Sequence, residues 1–314
     1  MRTIHAISLN TAIDVRIVIP QFEVGAIIRS EGYKEYLAGK AVNNVQAIVS
    51  LGGTANLFCF SGTNDAGMFS SISSQIDAHV IACKGVTRKN ITLVNKNAEL
   101  ICHIQNQGYC VTESELTKFE NAFYPKMKAG DVVVMSGSVP LGMPADYLDK
   151  VVQRVSKSKG IVLLDIDPPL LGKIDCRNVM LVKPNLEELG RLAGRNVVGI
   201  DDIVATAYNL IKSKIVVVSL GKDGAVWIDR QGRYYVQAKT NLRAEGKLDV
   251  IGCGDAMVGA IAFGIAQDKG FMDTLKMGVC SGYAKMFVEG PGPVSLEHYR
   301  RVFDCVEFGE VQSF

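Results

Sequence analysis

The chain predicts an α/β fold, a doubly wound, mostly parallel sheet with helices on both faces, and three observations carry that expectation. Short apolar, β-branched runs recur at residues 4–9, 55–60, 132–136, 161–165, 180–182 and 215–220. Runs of that length and composition suit strands buried on both faces. Segments of helical periodicity separate most of them, at 41–51, 113–127, 145–156 and 200–212. Beyond residue 254 the pattern turns helical, through 254–267 and 272–288, with a last candidate at 296–303. No internal repeat or low-complexity linker divides the 314 residues, so residues 1–314 read as one domain. Catalysis is then expected beyond the C-terminal ends of the strands.

Two stretches break the rhythm. Residues 13–37 contain Val15-Arg16-Ile17-Val18-Ile19, and residues 90–105 contain Ile91-Thr92-Leu93-Val94, with no helix between their extended parts. They predict a small β appendage made of two separate pieces of chain. It reads either as a lid that covers a site and excludes water or as a plain hairpin with no closing role.

Composition narrows the function classes. With 48% apolar residues the chain can bury a large core, and a formal charge of +2 gives no electrostatic reason to expect a nucleic-acid or membrane partner. The longest apolar run, 256–266, is too short to span a bilayer, and the first residues show no signal peptide, so a cytoplasmic location is expected. The eight cysteines never form the Cys-x-x-Cys spacing of a zinc site, and the four histidines are scattered. Most cysteines read as small buried apolar residues in a reducing compartment.

The densest chemical signal is Gly252-Cys253-Gly254-Asp255-Ala256-Met257-Val258-Gly259. A glycine-rich turn lets backbone N–H groups converge on an anion, the helix N-terminus adds partial positive charge, and Asp255 stands beside it as a candidate base. Taken alone, the Asp also reads as a residue that favours a helix start. Cys253 reads as a small residue tolerated in the turn, or as a reactive thiol beside the anion site. No Gly-x-x-x-x-Gly-Lys-Ser/Thr segment exists, and Ile7-Ser8-Leu9-Asn10-Thr11 lacks the glycines of a dinucleotide fingerprint.

Seven segments remain: Asn10-Thr11-Ala12-Ile13-Asp14, Ala38-Gly39-Lys40-Ala41-Val42-Asn43, Thr87-Arg88-Lys89-Asn90, Ser136-Gly137-Ser138-Val139-Pro140, Lys183-Pro184-Asn185-Leu186-Glu187-Glu188, Ser219-Leu220-Gly221 and the Asp255 turn. In this order and spacing the chain resembles the ribokinase-like sugar kinases, in the phosphofructokinase-B branch that holds 1-phosphofructokinase and tagatose-6-phosphate kinase. The resemblance covers nearly the whole chain.

The resemblance implies ATP and Mg2+ as cofactors and a set of roles. Asp255 would be the catalytic base, with the amides around Gly252, Cys253 and Gly254 stabilising the transferred phosphoryl group. Asp14, Gly39, Lys40 and Asn43 would contact the sugar, and Arg88, Arg29 and Ser138 its existing phosphate, since a guanidinium offers a planar fork to phosphate. Lys183, Asn185, Ser219, Gly221 and Gly224 would serve the nucleotide, and Asn185 and Glu188 the magnesium, through water. Each position keeps a plainer reading: a turn-forming Asp14, a helix start at Gly39, solvated charges at Arg88 and Arg29, strand-end turns at Ser138 and Ser219, and a capping box at Asn185 and Glu188. Ala38, Ala41, Cys253 and Ala256 depart from the family's usual Gly-Gly-Lys-Gly-x-Asn and Gly-Ala-Gly-Asp-Ser.

The expected activity is ATP-dependent phosphorylation of a ketohexose monophosphate, fructose 1-phosphate first and tagatose 6-phosphate second. The alternatives are a kinase of an unphosphorylated sugar or nucleoside, and a sensor that binds sugar phosphate without catalysis. Lids of this family often pair, so a homodimer through the β lid is a further expectation.

Overall fold

The computed structural model describes residues 1–95, 100–242 and 248–313. In chain order the strands are β1 (Ile4–Ser8), β2 (Ala12–Ile19), β3 (Gly32–Ala38), β4 (Ala55–Gly62), β5 (Ile76–Cys83), β6 (Arg88–Asn95), β7 (Leu100–Gln105), β8 (Val132–Gly137), β9 (Ile161–Ile166), β10 (Leu181–Val182), β11 (Ile215–Ser219), β12 (Ala225–Asp229), β13 (Tyr234–Thr240), β14 (Val306–Phe308) and β15 (Gln312–Ser313). The helices are α1 (Lys40–Ser50), α2 (Glu113–Phe123), α3 (Tyr147–Lys157), α4 (Pro168–Leu171), α5 (Leu186–Ala193), α6 (Ile200–Leu210), α7 (Cys253–Ala266), α8 (Phe271–Lys285) and α9 (Leu296–Phe303).

The main sheet runs β14-β13-β12-β11-β10-β9-β8-β1-β4-β5 and is parallel from β11 to β5. Its strands alternate side chains between two cores: Val133 and Met135 of β8 join one, Val132 and Val134 the other. Phe119, Val151, Leu189 and Ile203 cover the first face from α2, α3, α5 and α6; Val42, Ile261, Leu275 and Val302 cover the second from α1, α7, α8 and α9. The doubly wound expectation therefore holds. The sequence pattern missed the edges: β5, and the antiparallel β12–β13 hairpin with β14 beyond it. Expected boundaries also move: α2 ends at Phe123 rather than 127, and α8 ends at Lys285 rather than 288, where the chain turns with Val288 N–H on the Lys285 carbonyl.

The two extended stretches join in a separate sheet, ordered β3-β2-β6-β7, with β2 and β6 paired from Ala12↔Arg88 to Ile19↔Asn95. Within the second expected stretch, residues 96–99 lie outside the described residues. Among the described residues, no helix is long and apolar enough to cross a membrane.

Helix α7 is apolar on all sides because it is packed between α1 and α8. Gly259 makes the α1 contact close: a Cβ there would stand 2.4 Å from the Asn44 carbonyl oxygen. Gly259→Ala is expected to force the helices apart and cost about 1–3 kcal/mol. Thermal unfolding reads this loss, and an unchanged melting temperature would contradict the packing account.

Candidate active site

Strand order reverses between β1 and β8, with β4 continuing on one side and β9 on the other. A crevice forms at such a switch point, beyond the strands' C-terminal ends. Asn10, just past β1, spans it by donating from Nδ2 to Ser138 Oγ at 3.0 Å and to the Val139 carbonyl at 3.3 Å.

Two helix N-termini meet there. Gly39 turns the chain from β3 into α1 at φ 124°, and a Cβ would come 3.3 Å from Ser8 Oγ and 3.4 Å from Thr11 Cα, so both conformation and space select glycine. Gly252 caps α7 at φ 79°, wedged between the Asn43 amide and the Lys285 side chain. The first turns of α1 and α7 are thereby joined: Asn43 Nδ2 donates to Asp255 Oδ2 at 2.6 Å. Asn44, oriented to satisfy its hydrogen bonds, donates to the carbonyls of Lys40 and Asp255 and accepts from Ser136 Oγ at 2.7 Å. Burial, and next the carboxylate of Asp165, push the Asp255 carboxyl up to about 6, against the pull of Asn43, Lys40 and Lys183. Burial likewise pushes Cys253 up to about 12, which supports the reading of a small tolerated residue over a reactive thiol. Ala41 and Ala256 lie in regular helix with their methyl groups buried.

Beside Asp255 lies a compact charge cluster. Asp165, buried at the end of β9, receives Lys40 Nζ and Lys183 Nζ, each at 3.4 Å, and Glu188 Oε1 lies 3.6 Å from Lys40. Burial alone would lower the Lys40 amine, but Asp165, Glu188, Asp255 and Asp167 outweigh it and hold the amine above its ordinary value. Lys183 Nζ also flanks Gly254 at the head of α7. Sequence reasoning gave Asp165 no role; the available signal was a carboxylate at the C-terminal end of a buried parallel strand.

At the base of the small sheet, Arg88 Nη2 donates to the Asn10 carbonyl at 3.2 Å, which brings both Arg88 and Ser138 to Asn10. Burial lowers the guanidinium's pKa, with Tyr109, Asp14 and Asp167 opposing. Asp14 accepts from Asn90 Nδ2 at 2.7 Å, and burial raises its pKa. Arg88 Nε, Asn43 Oδ1 and Asn90 Oδ1 are buried without a partner. Buried polar atoms are normally satisfied, so the orphans on Arg88 and Asn43, whose side chains reach Asn10 and Asp255, fit a polar ligand with an anionic group. Arg29 is not brought to this crevice. It is exposed in the 20–31 connection, at the end of β2 opposite Arg88.

On the other side of the Gly252 turn lies a cavity of about 680 Å³. Its apolar walls come from Val250, Met257, Val279 and Met286, and its polar rim from Ser219, Gly221, Gly224 and Asn241. Cys253 and Gly254 line it as well, so one turn borders both the cavity and Asp255. A volume of this size, with few polar groups at one edge, suits a nucleotide-sized ligand. Asn185 sits at the rim through its bridge to Ser219. Asn185 and Glu188 form the capping box of α5, at 2.7 and 2.9 Å, which leaves Glu188 Oε1 facing Lys40. Among the described residues no cluster of His, Cys, Asp and Glu could hold a metal by itself. The oxygen donors Glu188 and Asp165 fit a hard ion that retains waters and phosphate ligands, rather than one caged by protein.

Residues 5–297 match the pfkB family carbohydrate kinases. The chain is 26% identical to 1-phosphofructokinase of Bacillus subtilis, over 92% of this chain and 94% of that protein. It is 25% identical to ATP-dependent 6-phosphofructokinase isozyme 2 of Escherichia coli, over 96% and 98%. The tetrameric inhibited form of phosphofructokinase-2 from Escherichia coli shares the fold, with a TM-score of 0.86, 24% identity and coverage of 97% and 99%. A crevice at the sheet's switch point, bordered by the glycine turn of α7, and a family match that spans nearly the whole chain lead to one conclusion: this protein belongs to the pfkB family of carbohydrate kinases.

Proposed function

We propose that this kinase transfers the γ-phosphoryl group of ATP to a hydroxyl of a ketohexose monophosphate, with fructose 1-phosphate preferred over tagatose 6-phosphate. The carrying observation is Asp255, its carboxyl held by Asn43 on one side of a glycine turn whose other side lines the 680 Å³ cavity. Arg88 with Ser138 takes the existing phosphate; Asp14, Gly39, Lys40 and Asn43 take the sugar. ATP occupies the cavity past Ser219, Gly221 and Gly224, and Lys183 lies beside the phosphoryl group. Asp255 removes the hydroxyl proton as the sugar oxygen bonds to phosphorus and the bond to the ADP oxygen breaks, giving a bisphosphate and ADP. Backbone N–H groups at Gly252, Cys253 and Gly254 receive the negative charge. Mg2+, held near Asn185 and Glu188 through water, would supply charge neutralisation of the nucleotide phosphates when bound.

A base poised near 6 sets a pH dependence. Once corrected for the sugar phosphate's own second ionisation, log kcat/KM is expected to fall with slope 1 below pH about 6 and to level above it. A flat profile down to pH 5 would argue against Asp255 as the base.

The small sheet supports a homodimeric reading. Its outward rows carry Ile104 and Ile91, then the buried Val15 and the exposed Glu35, beside Cys102, Leu93, Ile17 and Tyr33; Ile104 is 49% and Tyr33 57% exposed. A second copy would cover this apolar face. Ile17→Glu is expected to convert a dimer to monomer in light scattering; a monomeric wild type would end this proposal.

Substrate choice is tested by ADP release across fructose 1-phosphate, tagatose 6-phosphate, fructose 6-phosphate, free fructose and ribose. Preference for a phosphosugar supports the reading, whereas activity on free sugars alone removes the phosphate role of Arg88.

A further inference from the structure

Lys285, at the C-terminal end of α8, is 1% exposed. Its Nζ donates to the carbonyls of Val288 at 2.9 Å and Gly290 at 2.5 Å, and among the described residues no carboxylate lies within ion-pairing distance. Burying a cation without an ion pair is expensive, so its place in the fold calls for a reason. The side chain packs on the backbone of the α7 turn: a Cβ on Gly252 would come 3.5 Å from Lys285 Cε. The segment it holds is tied to that turn a second time. Gly290 N–H donates to Asp249 Oδ2, and Ile251 N–H to Asp249 Oδ1, each at 2.9 Å. Lys285, Gly290, Asp249, Ile251 and Gly252 thus form a chain of contacts that ends at the amides assigned above to the phosphoryl group.

We propose that Lys285 is a positioning residue for phosphoryl transfer, its ammonium fixing the 249–252 turn from behind and lending the anion pocket a positive charge from within the protein. The proposal rests on the kinase reading above and adds a residue to it. In a poorly solvated site a fixed cation is screened little, so its field reaches the pocket without touching the substrate. The carbonyls of Val288 and Gly290 cannot accept a proton, which separates this role from proton transfer. Burial lowers the amine's pKa, and Cys253, Asp249 and Asp255 act the other way.

The test compares wild type with Lys285→Met, which keeps the stem and drops the charge, and Lys285→Gln, which keeps donors without charge. Readouts are kcat and KM on the best phosphosugar, the melting temperature, and the ratio of ATP to ADP affinity by calorimetry. Both variants are expected to lose about 10–100-fold in kcat while the sugar-phosphate KM stays within about twofold, and the ATP preference over ADP is expected to shrink. In Lys285→Ala, ammonium chloride is expected to restore part of the lost turnover and tetramethylammonium chloride, too large for the vacated site, none. Wild-type kcat in folded Lys285→Met or Lys285→Gln, or a loss that follows only the folded fraction and that ammonium does not relieve, overturns the proposal. A wild type that neither binds ATP nor transfers phosphate overturns the kinase reading itself, and this proposal with it.

Discussion

Asp255→Asn is expected to lower kcat by about 10³-fold with little change in the affinity for either substrate, because an amide keeps the shape of the carboxylate and its contact with Asn43 but cannot take the hydroxyl proton. The same change is expected to leave the protein as stable as wild type or more so at pH 7.5. The sign follows from linkage. Burial and Asp165 raise the folded carboxyl to about 6, above its unfolded value, so the folded state favours the protonated form. That contribution is present below the unfolded pKa and is lost as pH rises through about 6. At neutral pH Asp255 therefore strains the fold, and asparagine relieves it. Kinetics and a melting curve on one preparation test both halves; a variant that loses activity only because it unfolds would contradict the assignment.

Arg88→Met gives the second large effect. A half-buried guanidinium whose Nε lacks a partner is placed to gain a charge-assisted bond from a phosphate oxygen. Losing bonds to a charged group costs about 3 kcal/mol, roughly 100-fold in kcat/KM for the phosphosugar. Arg88→Lys keeps the charge but not the fork and is expected to lose about tenfold. Free fructose, lacking the phosphate, is expected to turn over no worse in either variant than in wild type. Equal losses on both sugars would show that Arg88 supports the small sheet rather than reading the phosphate.

Much of this fold was legible because its central strands are buried on both faces and read as plain apolar runs, as in Val132-Val133-Val134. The missed strand β5 lies at the sheet's edge, where exposure mixes polar with apolar residues: it reads Ile-Asp-Ala-His-Val-Ile-Ala-Cys with only Ile76, Ile81 and Cys83 buried. The glycine turn before Asp255 stood out locally, since its chemistry is contiguous in sequence. Asp165, Asn44 and Lys285 did not, because each acts through a partner far along the chain, such as Lys40 for Asp165 or the Gly252 turn for Lys285. Arg29 shows the converse: the family resemblance grouped it with Arg88, but the β2–β3 connection carries it to the exposed end of the small sheet. Asn185 and Glu188 carry a helix cap whatever else they do.

Phosphorus NMR of a reaction holding ATP, magnesium and fructose 1-phosphate tests the central claim most directly. The account predicts a second sugar phosphomonoester growing in step with ADP in the wild type, and neither growing beyond background with Asp255→Asn. ADP with inorganic phosphate and no bisphosphate, or transfer that survives Asp255→Asn, would contradict it.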